Sequence, residues 1–313
     1  MRNNFRNMIV NTILERINVK YIIHSFRNAK IIFENDYRYK KLWEEIKMVL
    51  DGISDQDIIN QFESSKRENQ KSISDAINIL IDKRLVEKKW DRQSPIFNDS
   101  EYRPNSKGHW WTLDFSKSEI SIEVAFNHGE ATAWNLIKPV LAGELNHVEK
   151  TTQTSAGVII TATDSMKRRG NFDGSIGSYE KFCQYLNPLR NILTIPMIII
   201  GLEAPDTFFI DGQTKRIKDI SEYIIPKNVS LEAFRQRLES YKIAFNKTGI
   251  ERNGKKIPMS LKVPSKKIGI MLKKYADENR TVLEKEEWNI IEYDDIHCDE
   301  ELQAKIEKLV SML

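Results

Sequence analysis

Two runs, Gly157 to Thr163 (GVIITAT) and Ile195 to Leu202 (IPMIIIGL), constrain the fold most. Both are apolar at nearly every position, so they read as buried strands from the interior of a sheet rather than as half-exposed ribbons. The segment before them is patterned differently. Ile120, Ile122, Val124 and Phe126 alternate with Ser121, Glu123 and Ala125, which gives one apolar face and puts a carboxylate on the other. Trp110 to Phe115 has the aromatic and β-branched content of a partner strand, with a turn at Ser116 to Glu119. Helices are predicted from about Ala131 to Val148 and from Ser178 to about Ile192. The order strand, strand, helix, strand, helix, strand predicts an α/β fold with a mixed central sheet flanked by helices.

Residues 1 to about 90 read as mostly helical, because apolar residues recur at three and four spacing in Leu42, Ile46, Val49, Leu50 and in Ile73, Ile77, Leu80, Leu85. Asp51-Gly52 ends one helix, Ser72 or Ser74 caps the next, and Ser64 to Lys71 is a loop between them. Beyond Pro226 the texture changes again. Between Lys242 and Lys274 there are ten Lys or Arg against one acid, Glu251, a local net charge of +9, with Asn253-Gly254 marking a hairpin turn. The tail from Glu284 is predicted to be acidic and helical. The expected organisation is a helical N-terminal part over residues 1–93, a core over 94–226 and a basic C-terminal extension over 227–313.

The whole chain carries 48 basic and 45 acidic residues, a net of +3, so an argument for a polyanionic partner rests on where the charges cluster. The +9 segment, with Lys255, Lys256, Lys266 and Lys267, reads either as a solvated surface or as a clamp on DNA phosphates. Two cysteines, Cys183 and Cys298, exclude a disulfide framework and a Cys-based zinc site. No apolar run approaches the roughly 20 residues that span a bilayer, so a soluble cytoplasmic protein is expected.

Asp114 and Glu123 sit on adjacent strands joined by a short turn. Their carboxylates can converge at the sheet edge, which suits a hard divalent cation such as Mg²⁺ that orients water against a phosphodiester. Spacing alone does not separate this from an acidic pair on an exposed hairpin.

The context adds specificity. LDFSKSEISIEVAFNH, an amphipathic helix ending GEL, GVIITAT, DGSIGSYEKF and PMIIIGLEAP together resemble the BglII-type type II restriction endonucleases of the PD-(D/E)xK nuclease fold. LWEEI, the helix from Ala76 to Leu85 and Trp90 are similar to that family's N-terminal helical part. The resemblance spans roughly residues 25 to 205. It implies a Mg²⁺-dependent endonuclease cutting double-stranded DNA at a short palindrome, with GATC as the expected core, acting as a homodimer. It implies Asp114, Glu123 and the carbonyl of Val124 as metal ligands. It also implies base contacts by His128 and Ser175, flanked by Asn127, Asp173 and Ser178.

One position departs from the pattern. Two residues past the Glu the family carries Lys, Gln or Glu, and here stands Ala125, whose methyl group can neither orient nor deprotonate water. Either the function has migrated to Glu130, His128 or Lys138, or the position has been inactivated by design, or the chain binds DNA without cutting it. Migration is the expected explanation, because His128 to Ala131 looks like an insertion relative to the family, and Glu130 is taken as the catalytic replacement. Two other readings are a non-cleaving binder, with residues 40 to 115 forming a winged helix, and a structure-specific repair nuclease.

Overall fold

The computed structural model describes residues 17–65, 71–98, 102, 111–144, 147–252 and 254–313. The chain divides into two compact units, Met1–Ile220 and Ser221–Leu313.

The first unit is built on a six-stranded sheet. In chain order its strands are β1 (Tyr21–Phe26), β2 (Asp91–Pro95), β3 (Thr112–Lys117), β4 (Ile120–Val124), β5 (Ala156–Ala162) and β6 (Met197–Leu202). Their spatial order is β1-β6-β5-β4-β3-β2. β4, β5 and β6 run parallel, while β1, β3 and β2 pair antiparallel with their neighbours, so the sheet is mixed as expected. The apolar runs fill its centre, where every residue of β5 and β6 is buried.

Four helices cover one face: α1 (Ala29–Asn35), α2 (Tyr37–Asp51), α3 (Asp55–Ser64) and α4 (Ser74–Glu87). Leu42, Ile46, Val49 and Leu50 of α2 and Ile77 and Leu85 of α4 form one apolar cluster with Ile120, Ile122, Val124 and Phe126. The helices start where the chain satisfies their free N–H groups: Asp36 caps α2, and Ser54 with Asp57 forms a capping box on α3. Neither Ser72 nor Ser74 caps α4. Its N-cap is Ile73, and the two hydroxyls bond each other at 2.7 Å.

The other face is covered by α5 (Thr132–Gly143) and α7 (Tyr179–Leu186), with the short α6 (Asp164–Arg169) between them in sequence. Leu136, Val140, Phe182 and Leu186 pack there on Ala125, Ile159, Met197 and Ile199. Both helices are shorter than their periodicity suggests. The N-terminal part is also not purely helical, since β1 and β2 form the two edges of the central sheet. β2 and β3 therefore are not the wing of a winged helix, because β3 is hydrogen-bonded on its other side to β4. A small hairpin, β7 (Phe208–Ile210) with β8 (Ile217–Asp219), ends this unit.

The second unit contains α8 (Lys227–Ser240), the hairpin of β9 (Ile250–Arg252) and β10 (Lys255–Ile257), and a three-stranded sheet. That sheet consists of β11 (Leu261–Val263), β12 (Ile268–Met271) and β13 (Asn289–Glu292). Short α9 (Lys273–Glu278) and α10 (Arg280–Lys285) and a final α11 (Asp299–Ser311) complete it. Gly254 turns the β9–β10 hairpin at φ 74°, a conformation glycine adopts without strain, whereas Asn253 lies outside the described residues. The acidic tail is not all helix: β13 interrupts it, pairing in parallel with β12.

Candidate active site

β3 and β4 are held as a tight hairpin with Phe115 opposite Ile122 and Lys117 opposite Ile120, turning at Ser118 and Glu119 with Ser118 at φ 47°. Its turn end is anchored from the helical side. Glu45 of α2 accepts from Lys117 Nζ at 2.6 Å and from Trp90 Nε1 at 3.2 Å, and Lys117 also donates to the Lys88 carbonyl at 2.6 Å. At the opposite end the ladder stops after Phe115–Ile122. The freed N–H of Val124 donates instead to Asp114 Oδ2 at 2.8 Å. A side chain thus takes over from the backbone where the strands part, and this brings Asp114 beside Glu123.

Glu123 is buried to 1% exposure, and Asp114 is half-buried. Burial raises the Asp114 carboxyl above its usual range, opposed by the charge of Lys138, the Val124 N–H and a hydrogen bond from Gln93. Burial, and then the charge of Asp114, pushes Glu123 up to about 8, opposed by Lys138. Lys138 of α5 is the cation the structure brings in. Its ammonium is paired with Glu123 Oε2 and donates to the Thr112 carbonyl at 3.1 Å, with 8% of the residue exposed. The second Glu123 oxygen, Oε1, is buried without a hydrogen-bond partner. An orphaned carboxylate oxygen in a core is costly, and a hard cation is the kind of ligand that would satisfy it. Two carboxylates and a nearby main-chain carbonyl are a donor set suited to Mg²⁺, which commonly takes one or two carboxylates and keeps several waters.

Next to Asp114 opens a cleft of about 380 Å³ walled by Asn78 and Asp82 of α4, Arg92 and Gln93 of β2, and Val124, Phe126 and Asn127. Arg92 is paired with Asp82 at 2.8 Å. Gln93, which sequence reasoning missed, sits at φ 51° in the middle of an edge strand and directs its amide to Asp114. For a residue with a Cβ this conformation costs on the order of 1 kcal/mol or more, and such strain clusters at functional sites.

Past β4 the chain meets the loop before α7. Gly129 N donates to the Ser175 carbonyl at 2.7 Å and Gly177 N to that of Asn127 at 3.1 Å. A Cβ on Gly129 would lie 3.0 Å from the Ser175 carbonyl oxygen, so glycine permits this close approach. Three exposed residues meet on these loops: Ser175 Oγ donates to Asp173 Oδ1 at 2.6 Å and lies 3.3 Å from His128 Nε2. Asn127 is exposed with them and accepts from Asn135 at 3.0 Å. Ser178 is different. It is buried, and its hydroxyl caps α7 by accepting from Lys181 N. Glu130 is exposed on the turn before α5 and is not among the groups that act on Asp114 or Glu123. In the second unit Lys255, Lys256, Lys266 and Lys267 are all exposed, and Lys267 is engaged by Glu287 at 3.2 Å.

Over residues 21–202, more than half of the chain, the sequence matches the family described as restriction endonuclease BglII/BglIII. The chain belongs to that family. Two solved structures are similar to it. BglII complexed with a DNA 16-mer matches at 18% identity and a TM-score of 0.42, covering 64% of this chain and 88% of that one. Free BglII matches at 22% identity and a TM-score of 0.37, covering 61% and 83%. No curated protein matches the chain. The matched segment runs from the first residue of β1 to the last of β6, so the whole central sheet, Asp114 and Glu123 included, falls within the family region. Among the described residues no helix is long and apolar enough to cross a membrane.

Proposed function

We propose that this restriction-endonuclease family member is an active, Mg²⁺-dependent type II enzyme. In this reading it hydrolyses double-stranded DNA at a short palindrome with a GATC core, as a cytoplasmic homodimer. The observation that carries the reading is the pairing of half-buried Asp114 with buried Glu123, whose Oε1 is left without a hydrogen-bond partner. Asp114, Glu123 and the carbonyl of Val124 would hold the metal, which would supply Lewis-acid polarisation of the phosphodiester and a more acidic water. His128 and Ser175, with Asn127 and Asp173 beside them, face solvent on paired loops and read base edges. Ser178 contributes by fixing the start of α7 rather than by touching a base. Lys255, Lys256, Lys266 and Lys267 grip phosphates from the second unit. A palindromic site is matched by a two-fold protein, which supports the dimer.

The test is incubation with Mg²⁺ and mixed-sequence DNA followed by sequencing of the ends. The expected result is breaks at one palindrome containing GATC. A second reading, a non-cleaving DNA-binding protein, is favoured by Ala125, which is buried among Leu136, Val140 and Phe182 and brings no polar group to the site. Specific binding without breaks in any divalent metal would establish it, and breaks without sequence preference would point to a repair nuclease.

A further inference from the structure

Glu123 on β4 and Ala125, one residue past its end, share the face covered by α5. On that helix Lys138 lies in the run LIKPVLA, a lone charge among apolar residues. A lysine so placed normally extends its stem and carries its ammonium out to water. This one turns inward to 8% exposure, although burying a charge costs several kcal/mol before its partners repay it. A methionine would pack in the same place without that cost. The ammonium has three N–H donors. Glu123 Oε2 and the Thr112 carbonyl take two of them, and among the described residues no acceptor is found for the third.

We infer that Lys138 supplies, from α5, the group that Ala125 fails to supply from the end of β4. It pairs with Glu123 Oε2 beside Asp114, and its remaining N–H orients the attacking water at the scissile phosphate. This rests on the nuclease reading above and deepens it. In the step it assists, the water oxygen forms a new P–O bond and one ester P–O bond breaks. The water gives a proton to solvent and the leaving oxygen takes one from solvent. Lys138 keeps its own protons throughout, acting as a fixed positive donor. Glu130, exposed on its turn, has no part in this arrangement.

Wild type, Lys138→Met, Lys138→Arg and the double change Ala125→Lys with Lys138→Met test the inference. Each is measured for thermal unfolding, DNA binding in Ca²⁺, Ca²⁺ affinity without DNA, and single-turnover cleavage in Mg²⁺. Lys138→Met should melt cooperatively, bind DNA within about threefold, and cleave at least 100-fold more slowly. It should also bind Ca²⁺ at least fivefold more tightly, because a competing cation has left Glu123. A merely structural lysine would not tighten metal binding while stopping cleavage. The double change, which moves the amine to the strand, should recover at least tenfold of the lost rate. Cleavage by Lys138→Met within threefold of a cleaving wild type overturns the inference and leaves the nuclease reading intact. A wild type that binds but never cleaves overturns that reading instead. If Lys138→Met does not fold, Lys138→Arg decides: cleavage within tenfold of wild type supports the charge role, and lost cleavage with native melting overturns it.

Discussion

Glu123 makes opposite demands on folding and on chemistry. An ionised carboxylate at 1% exposure is a liability in a metal-free core, and burial moves its pKa from the usual 4.5 to about 8. Between those values the folded protein holds a proton that the unfolded chain has released. Stability therefore is greatest below about pH 4.5 from this group, falls as pH rises towards 8, and levels off above it. Urea titrations of the metal-free protein from pH 5 to 8.5 should show that decline, and Glu123→Gln should remove its share of the slope. A flat wild-type profile would mean that Lys138 fully offsets the burial. For activity, Asp114→Asn and Glu123→Gln should each abolish cleavage while DNA binding in Ca²⁺ stays within about tenfold. Each removes a metal-ligand charge and leaves the surface that meets phosphates unchanged. Full cleavage by either variant would remove these residues from the site.

The elements to which the proposed function gives recognition are two loops, held together by main-chain bonds. The bridge between His128 and Ile176, with the flanking bonds from Gly129 and Gly177, fixes the segment after β4 against the segment before α7. Ser175 and His128 are presented from this double loop with Asp173 orienting the serine, whose hydrogen bonds hold the Asp173 carboxyl below its usual range. His128→Ala and Ser175→Ala should relax sequence choice by roughly 5- to 150-fold, the 1 to 3 kcal/mol of a good base contact, without stopping the chemistry. Profiles of cut ends are the measurement. If His128→Ala instead stops cleavage of every sequence, histidine belongs to the chemistry. Unchanged profiles at wild-type rates for both would take the loop out of recognition.

For the whole molecule, charge is divided unevenly. The segment from Lys242 to Lys274 carries +9 of local charge in a chain whose total is +3, so the rest of the sequence is net acidic. That distribution suits a second unit that contributes affinity for phosphates without reading sequence. Replacing Lys255, Lys256, Lys266 and Lys267 by Ala should weaken binding to specific and unrelated DNA alike. The slope of log K against log salt should flatten by about 0.9 for each phosphate that is no longer neutralised. Lys267, already engaged by Glu287, should count least of the four. An unchanged slope would show that these lysines are ordinary solvated surface.

The centre of the fold was legible in the chain because its signals are local. An apolar run such as Met197 to Ile200 can only be interior, and the period-two alternation through Ile120 to Phe126 sets which face Glu123 occupies. The edge strands were not legible. Tyr21–Phe26 is only partly buried, and Asp91–Pro95 is polar apart from its proline. Their strand character comes from pairing with distant chain, Tyr21 opposite Leu202 of β6 and Asp91 opposite Ser116 of β3. The acidic half of the site was legible for the same reason as the centre, since a short turn dictates that Asp114 and Glu123 are neighbours. Its basic half was legible only as a candidate: the departure at Ala125 raised Lys138 together with Glu130 and His128, and nothing in the spacing chose among the three. Which buried group Lys138 meets is decided when α5 closes over the sheet, because helix packing brings together side chains that no sequence spacing connects.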